Sequence, residues 1–378
     1  MTGADDDPVP WSGPTSKQWA GLLQATAEGL TLAEFHGGSY KTSEPAPPVP
    51  AWTIVAERLP AGADEAVRRG QVLAFFKKVP PCLVGMEACA TAHHWARELT
   101  QLGHTVKLMP PSYVKAYVRR GKNDAADAAA ICEAVTRPSM RFVPVKTVEQ
   151  QVALMLHRSR DLLIRQRTQL INALRAHLAE LGLVAAVGAD GLKSLMDIIR
   201  EAGKSGRLPK RMLGALNALV AQLAALGNQI VTLERSIQAQ HRASEPSRRL
   251  ETVPGIGVIG ATAIVATVTD PKAFKSGREL AAWIGLVPRQ YSTGGKQKLG
   301  GISKQGDKYL RRLLIVGATS VIQQARRHPD KHPWIIKLLG KLPAKKVAVA
   351  LANKTARIAW AILTKGETYR APAIAAAP

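Results

Sequence analysis

Asp124 and Asp127 stand three apart in the stretch "KNDAADAAAICEA" (122–134). Residues three apart share one face of a helix, and like charges side by side repel unless a proton or cation relieves them. A helix start offers an ordinary explanation, with Asn123 or Asp124 as N-cap and Asp127 in a first turn favoured by the helix dipole. Glu87 shifts the balance. It lies in the apolar run "PCLVGMEA" (81–88), where a carboxylate is costly to bury unless it is paired or metal-bound. A Glu at the carboxyl end of a buried strand, faced by two Asp on a helix, is an oxygen-rich arrangement suited to Mg²⁺ and phosphodiester chemistry.

A second constellation is "GLVPRQYSTGGKQKLGGISKQGDKYLRR" (285–312). It gathers glycines, hydroxyls and cations, including Ser292, Lys296, Lys298, Lys304, Arg311 and Arg312. Such a loop can cradle phosphate without catalysis. Alternatively, Ser292 is a nucleophile toward a phosphodiester, with no histidine nearby in sequence to serve as its base. His93 and His94 are neighbours on a helix and point in different directions, which suits surface or packing roles better than a metal pair.

The elements that must hold these residues alternate. The patterns predict strands over 52–59, 81–88 and 105–111 and helices over 63–78 and 91–104, an α/β layer with a partly parallel sheet. Residues 1–50 differ: they are acidic and contain the proline-rich "SEPAPPVP" (43–50), so they read as an extension without regular structure. Residues 146–182 form one long amphipathic, arginine-rich helix. Over 210–240, Leu216, Leu223, Ile230 and Ile237 recur every seven residues, with Met212, Leu219, Leu226 and Leu233 in the complementary register. That seam suits either a coiled coil between chains or a helical hairpin within one. From about residue 248, "LETVPGIGVIGATAIVATV" places Gly255 and Gly257 in a turn between apolar helical stretches. In a helix-hairpin-helix, such glycines bring backbone N–H groups to a phosphate without reading bases.

Charge narrows the function. The 378-residue chain carries a formal net charge of +24, unevenly spread. Residues 1–67 hold three Lys/Arg against nine Asp/Glu, whereas residues 241–378 hold 24 against seven. A basic half of this size is the footprint of a nucleic-acid binder. No apolar run reaches the ~20 residues needed to cross a bilayer, and three cysteines without zinc spacing fit a reduced, cytoplasmic protein.

Several segments resemble a known family. "RRGQVLAFFKKVPPCLVGMEACATAHHWARELTQLGHTVKLMPPSYVKAYVRRGKNDAADAAAICEAVTRPSMRFVPVKTVEQQ" (68–151), "GRELAAWIGLVPRQYSTGGKQKLGGISKQGDKYLRRLLI" and "ALANKTARIAWAILTKGETY" are similar to transposases of the IS110 class of insertion sequences, in the IS1111 branch. The resemblance implies a RuvC-like domain of RNase H fold over 51–145, a helical coiled-coil region over 146–247 and a C-terminal transposase domain over 248–370. It implies an Asp-Glu-Asp-Asp metal set in which Glu87, Asp124 and Asp127 are the last three ligands, with Mg²⁺ as cofactor, and a nucleophilic Ser292. It further implies DNA as substrate, a structured guide RNA as partner, and a homo-oligomer, dimer or tetramer. In the family the first aspartate sits on an opening strand of Gly-Ile-Asp type. Here "WTIVAERLP" falls where a third strand belongs, and nothing before it matches the first two. The expectation is a transposase that cuts and rejoins DNA through a serine-DNA intermediate, in a domain missing its first strands and one ligand; the alternative is a defective copy that only binds DNA or RNA. A RuvC-like junction nuclease would share the carboxylates but have no use for Ser292.

Overall fold

The computed structural model describes residues 19–25, 31–36, 52–56, 69–118, 124–186 and 188–371. The chain divides into two compact units, 1–147 and 148–378.

The first unit is built on a five-stranded sheet: β1 (Trp19–Ala25), β2 (Thr31–His36), β3 (Trp52–Ala56), β4 (Leu83–Glu87) and β5 (Thr105–Met109), in that spatial order. The pairs β1–β2, β2–β3 and β3–β4 are antiparallel, and β4–β5 is parallel. Between them run α1 (Val72–Lys78), then α2 (Ala92–Gln101), which makes the β4-to-β5 crossover. A short α3 (Pro111–Val114) and then α4 (Asp124–Val135) follow.

The alternation of β4 explains the layering. Successive strand residues face opposite sides, and Val84 and Met86 pack with Phe76, Trp95, Leu99 and Leu108 under α1 and α2. On the other side, Ile131, Ala134 and Val135 of α4 pack with Met109, Val114 and Leu83. His104 ties the edge together: its Nε2 bonds the Phe76 carbonyl at 3.1 Å, and its Nδ1 accepts the Cys82 N–H at 3.2 Å.

The expectation that nothing strand-like precedes residue 52 is corrected here. β1 and β2 form ahead of it, because "WAGLLQA" and "TLAEFH" find backbone partners in the meander that their weak alternation did not announce. The proline-rich 43–50, the tail of the strand expected over 52–59 and the first half of the helix expected over 63–78 lie outside the described residues.

The second unit is helical. α5 (Val148–Ala179), α6 (Ala189–Lys204) and α7 (Lys210–Ala243) are followed by α8 (Glu245–Glu251), α9 (Val258–Thr267) and α10 (Gly277–Ile284). A two-stranded hairpin, β6 (Pro288–Gln290) and β7 (Leu299–Ile302), precedes α11 (Lys308–Arg327), α12 (Pro333–Leu339) and α13 (Ala344–Lys365). The heptad seam of α7 is used inside the chain: Leu216 and Leu223 pack with Leu174 and Leu178 of α5 and Leu195 of α6. A second core joins α8 to α13 around Leu280, Leu314, Leu351 and Ala352. Both α7 and α13 are long and apolar enough to span a bilayer by composition alone, and in α13 Val347, Leu351, Ala359 and Ile362 are buried in that core.

Polar groups stitch α5 to α7, α9 and α11. Buried His157 bonds the Tyr309 hydroxyl at 3.1 Å and Thr262 Oγ1 at 3.0 Å, while Arg160 pairs with Glu234 at 2.6 Å. Burial first, and the Arg160 charge second, push His157 down to about 4, so it holds this corner as a neutral ring.

Candidate active site

Gly85 decides how Glu87 and Asp127 meet. A methyl group at Gly85 would stand 3.0 Å from Val135 Cβ and 3.2 Å from Ile131 Cγ2, so only glycine lets α4 settle this close to β4. Glu87 is two residues on, on the same face of the strand, and Asp127 is one helical turn before Ile131. The two steps match in length, ~6.6 Å along a strand and ~6 Å along a helix, so the carboxylates come together at the end of the shared face. The electrostatics agree. Burial raises the Glu87 carboxyl above its ordinary range, and the negative charge of Asp127 raises it further. The half-buried Cys89 thiol beside it is pushed up to about 11, by burial and then by Glu87.

Asp124 opens the same helix, one turn ahead of Asp127; its side chain lies outside the described residues. Among the described residues, no group of three or more metal-type side chains comes together. On the other flank of β4, β3 reads "WTIVA" and carries no carboxylate; its Thr53 pairs with Gly85 and, on the far side, with Glu34 of β2. Glu87 and Asp127 offer hard oxygen donors, which fit Mg²⁺ better than a softer metal, while the neighbouring Cys89 thiol is held protonated by burial and by Glu87.

Ser292 occupies a different setting. It lies just beyond β6, where the chain turns back through Gly294 (φ +53°) and Gly295 (φ +76°), a pair of left-handed residues suited to a tight hairpin turn. Its hydroxyl oxygen accepts the Lys298 N–H at 3.2 Å and the Gln290 side-chain amide at 3.0 Å. Ser292, Lys296 and Lys298 are exposed. These contacts hold the hydroxyl as an acceptor near two lysines, and no histidine or carboxylate contacts it among the described hydrogen bonds.

The other cations expected to contact phosphate are placed unequally. Lys304 is exposed, in the left-handed region at φ +56°. Arg312 pairs with Asp161 and stacks over Tyr309. Arg311 is buried, and its Nη1 donates to the carbonyls of Ile284 and Gln305, each at 2.7 Å; its guanidinium is committed within the fold. Gly255 (φ +90°) serves packing: a methyl at Gly317 of α11 would stand 1.8 Å from its carbonyl oxygen. Gly257 is exposed, with open space around it, at the N-terminus of α9.

One basic region is not announced by any motif in the sequence. From Lys331 to Lys365 there are eight Lys/Arg and no Asp/Glu. The segment folds as α12, an elbow and α13, with Lys337, Lys341, Lys345 and Lys346 exposed. Helices ordinarily favour acids in the first turn, and α13 has none there. That reversal was the available signal.

Comparison with known proteins then decides the family. A DEDD-type IS110 profile, described as Transposase, matches residues 56–182, and a profile described as Transposase IS116/IS110/IS902 family matches 247–332. The chain is 49% identical over 304 residues to the putative transposase y4pF/y4sB of Sinorhizobium fredii, covering 80% of this chain and 78% of the relative. It is 50% identical over 306 residues to a probable family 20 transposase of Pseudomonas aeruginosa, covering 80% and 90%. The chain belongs to the IS110-class insertion-sequence transposases. The transposase for insertion sequence element IS1111A of Coxiella burnetii is 41% identical over 305 residues, covering 80% of this chain and 84% of that one. In this transposase, Glu87, Asp124 and Asp127 fall inside the first matched segment and Ser292 inside the second. The strands β1 and β2, and β3 up to its last residue, precede the matched region.

Proposed function

We propose that this transposase cuts and rejoins DNA at the ends of its insertion element, using a RuvC-like carboxylate site and Ser292. The observation that carries the reading is the meeting of Glu87 and Asp127 across the Gly85 contact, where burial and then the Asp127 charge raise the cost of ionising Glu87. Glu87, Asp127 and, one turn away, Asp124 are the residues that would hold Mg²⁺. A dication held there would supply charge stabilisation at the phosphate being cut. The protein's own part is to fix the carboxylates on a strand end and a helix, and to present Ser292 on an exposed hairpin flanked by Lys296 and Lys298.

The chemistry expected of Ser292 is exchange. Its oxygen forms a bond to phosphorus, its proton passes to the sugar oxygen with which the departing strand leaves, and attack by another strand-end hydroxyl reverses the step and returns the proton to serine. One phosphodiester replaces another, so rejoining needs no outside energy source. The C-terminal basic surfaces bind phosphates, weakening steeply with salt. A structured RNA encoded by the element supplies sequence choice by base pairing, a division of labour that suits cations aimed at backbones rather than base edges. Assembly as a dimer or tetramer is supported by Val148, Met155 and Leu162, exposed at seven-residue spacing on α5.

The test is cleavage of supercoiled DNA carrying the element ends. Mg²⁺- or Mn²⁺-dependent cutting that Glu87→Gln and Ser292→Ala each abolish is the expected result. Cutting that survives Ser292→Ala identifies a junction-type nuclease instead. A second reading follows from the lack of a Gly-Ile-Asp strand to supply the first aspartate: a copy that binds element ends or the RNA without cutting. Tight binding with no cleavage under either metal would establish that one.

A further inference from the structure

Arg311 is an arginine buried to 8% exposure, and among the described ion pairs no carboxylate meets it. A buried cation held only by neutral carbonyls is an expensive device, so what it holds matters. One of its carbonyls, Ile284, ends α10, where the chain enters the Ser292 hairpin. The other, Gln305, lies where the chain leaves it. One nitrogen, with its two hydrogens, therefore bridges both stems.

The stems are fitted closely around this bridge. Gly285 (φ +83°) would bring a methyl within 2.2 Å of the Gln305 carbonyl oxygen, and Gly306 (φ +69°) would bring one within 1.8 Å of the Trp283 carbonyl oxygen. Lys304 takes a left-handed conformation that costs a non-glycine residue energy, and its N–H donates to the Gly285 carbonyl at 3.1 Å. Ser303 N–H donates to Val287 at 2.8 Å, and Asn353 of α13 holds the Leu286 carbonyl at 3.1 Å. Beyond these bonds the arm from Pro288 to Gly301 is exposed throughout. Its described bonds are to itself and, through Arg289, to the Ser303 carbonyl at 3.1 Å.

From this geometry we infer that Arg311 is a positioning residue: it clamps the two stems together and so fixes where the exposed arm presents Ser292. The inference rests on the reading of Ser292 as the reacting group. Arginine suits the place because its Nη1 reaches far enough to give one hydrogen to each carbonyl, whereas the lysine ammonium stands one atom nearer the backbone.

Hydrogen exchange on the full-length chain tests the clamp without any variant. In the native protein, the amides of Ser303 and Lys304 should exchange about as slowly as those of α11, while those of Thr293 and Lys296 at the tip exchange fast. Stem amides as fast as the tip would overturn the clamp. In Arg311→Lys and Arg311→Gln, stem exchange should rise about tenfold or more, with α9 and α13 unchanged. Covalent capture of DNA by the serine should slow about 100-fold, while the Kd for element-end DNA stays within about threefold, since the arm's lysines are untouched. A folded Arg311→Lys chain with unchanged stem exchange also overturns it. Ser292→Ala separates the two claims: an adduct surviving in that variant removes the serine reading, and the exchange measurements still decide the clamp.

Discussion

Glu87 and Asp127 stand on a strand end and a helix that touch through Gly85, whereas Ser292 stands near the end of a two-stranded arm anchored at its base. The first arrangement is built by packing: half-buried carboxylates are pressed together at a cost that a cation would relieve. The second is built by hydrogen bonding and turn chemistry, and it leaves the hydroxyl in water. A binding site for a hard cation has to be rigid and preformed, because ligand distances are short and fixed. A group that attacks a large substrate must protrude far enough to meet a duplex backbone. On the proposed reading, the contrast follows from what each would have to reach.

Breaking each half should give different signatures. The largest effect is expected from Ser292→Ala, which should eliminate covalent capture of DNA with no loss of thermal stability, because the hydroxyl is exposed and its partners remain solvated. Glu87→Gln should lower metal-dependent cutting by about 10²–10⁴-fold. In the metal-free protein it should raise Tm slightly, since it removes a repulsion, and it should abolish the Tm increase on adding Mg²⁺. A Tm that falls in the metal-free state would contradict the repulsive pairing. Gly85→Ala tests the packing itself. The added methyl must displace Ile131 or Val135, at a cost of about 1–3 kcal/mol, and the shift of α4 should weaken Mg²⁺ binding measured by calorimetry.

Smaller effects sharpen the picture of the second unit. His157 has a folded pKa of about 4 against its ordinary 6.5, so its contribution is fully present above pH 6.5 and is lost as pH falls toward 4. Denaturant titrations should show stability declining over that window by on the order of 2 kcal/mol, and His157→Gln should flatten the slope. Replacing both Lys345 and Lys346 by Gln should reduce the salt slope of duplex binding by about two, with Ser292 capture intact at low salt.

The strand that carries Glu87, the helix that carries Asp127 and the packed seam of α7 are legible in the sequence for a physical reason. "GMEACA" and "KNDAADA" carry carboxylates where apolar or small residues dominate, and heptad spacing in 210–240 reports a packed helix, although whether the partner was another chain or α5 depended on tertiary contacts. A sequence shows charge but not burial, so Arg311, beside Lys304 and Arg312, looks like one more phosphate ligand, whereas it is buried on two carbonyls. Gly255 was read as an approach to phosphate, yet its close neighbour is Gly317, sixty-two positions away in the numbering. β1 and β2 were missed because meander strands gain their order from register, and neither has the β-branched alternation that announces a strand alone.

The central claim is that the exposed hairpin supplies the reacting oxygen while the carboxylate face supplies the metal site. Mass spectrometry of peptides from the full chain, quenched during reaction with element-end DNA and Mg²⁺, tests it most directly. A nucleotide mass on Ser292 in the wild-type chain, absent after Glu87→Gln or chelation, is the result expected. Cleavage without any adduct, or an adduct on Thr293 or elsewhere, would contradict it.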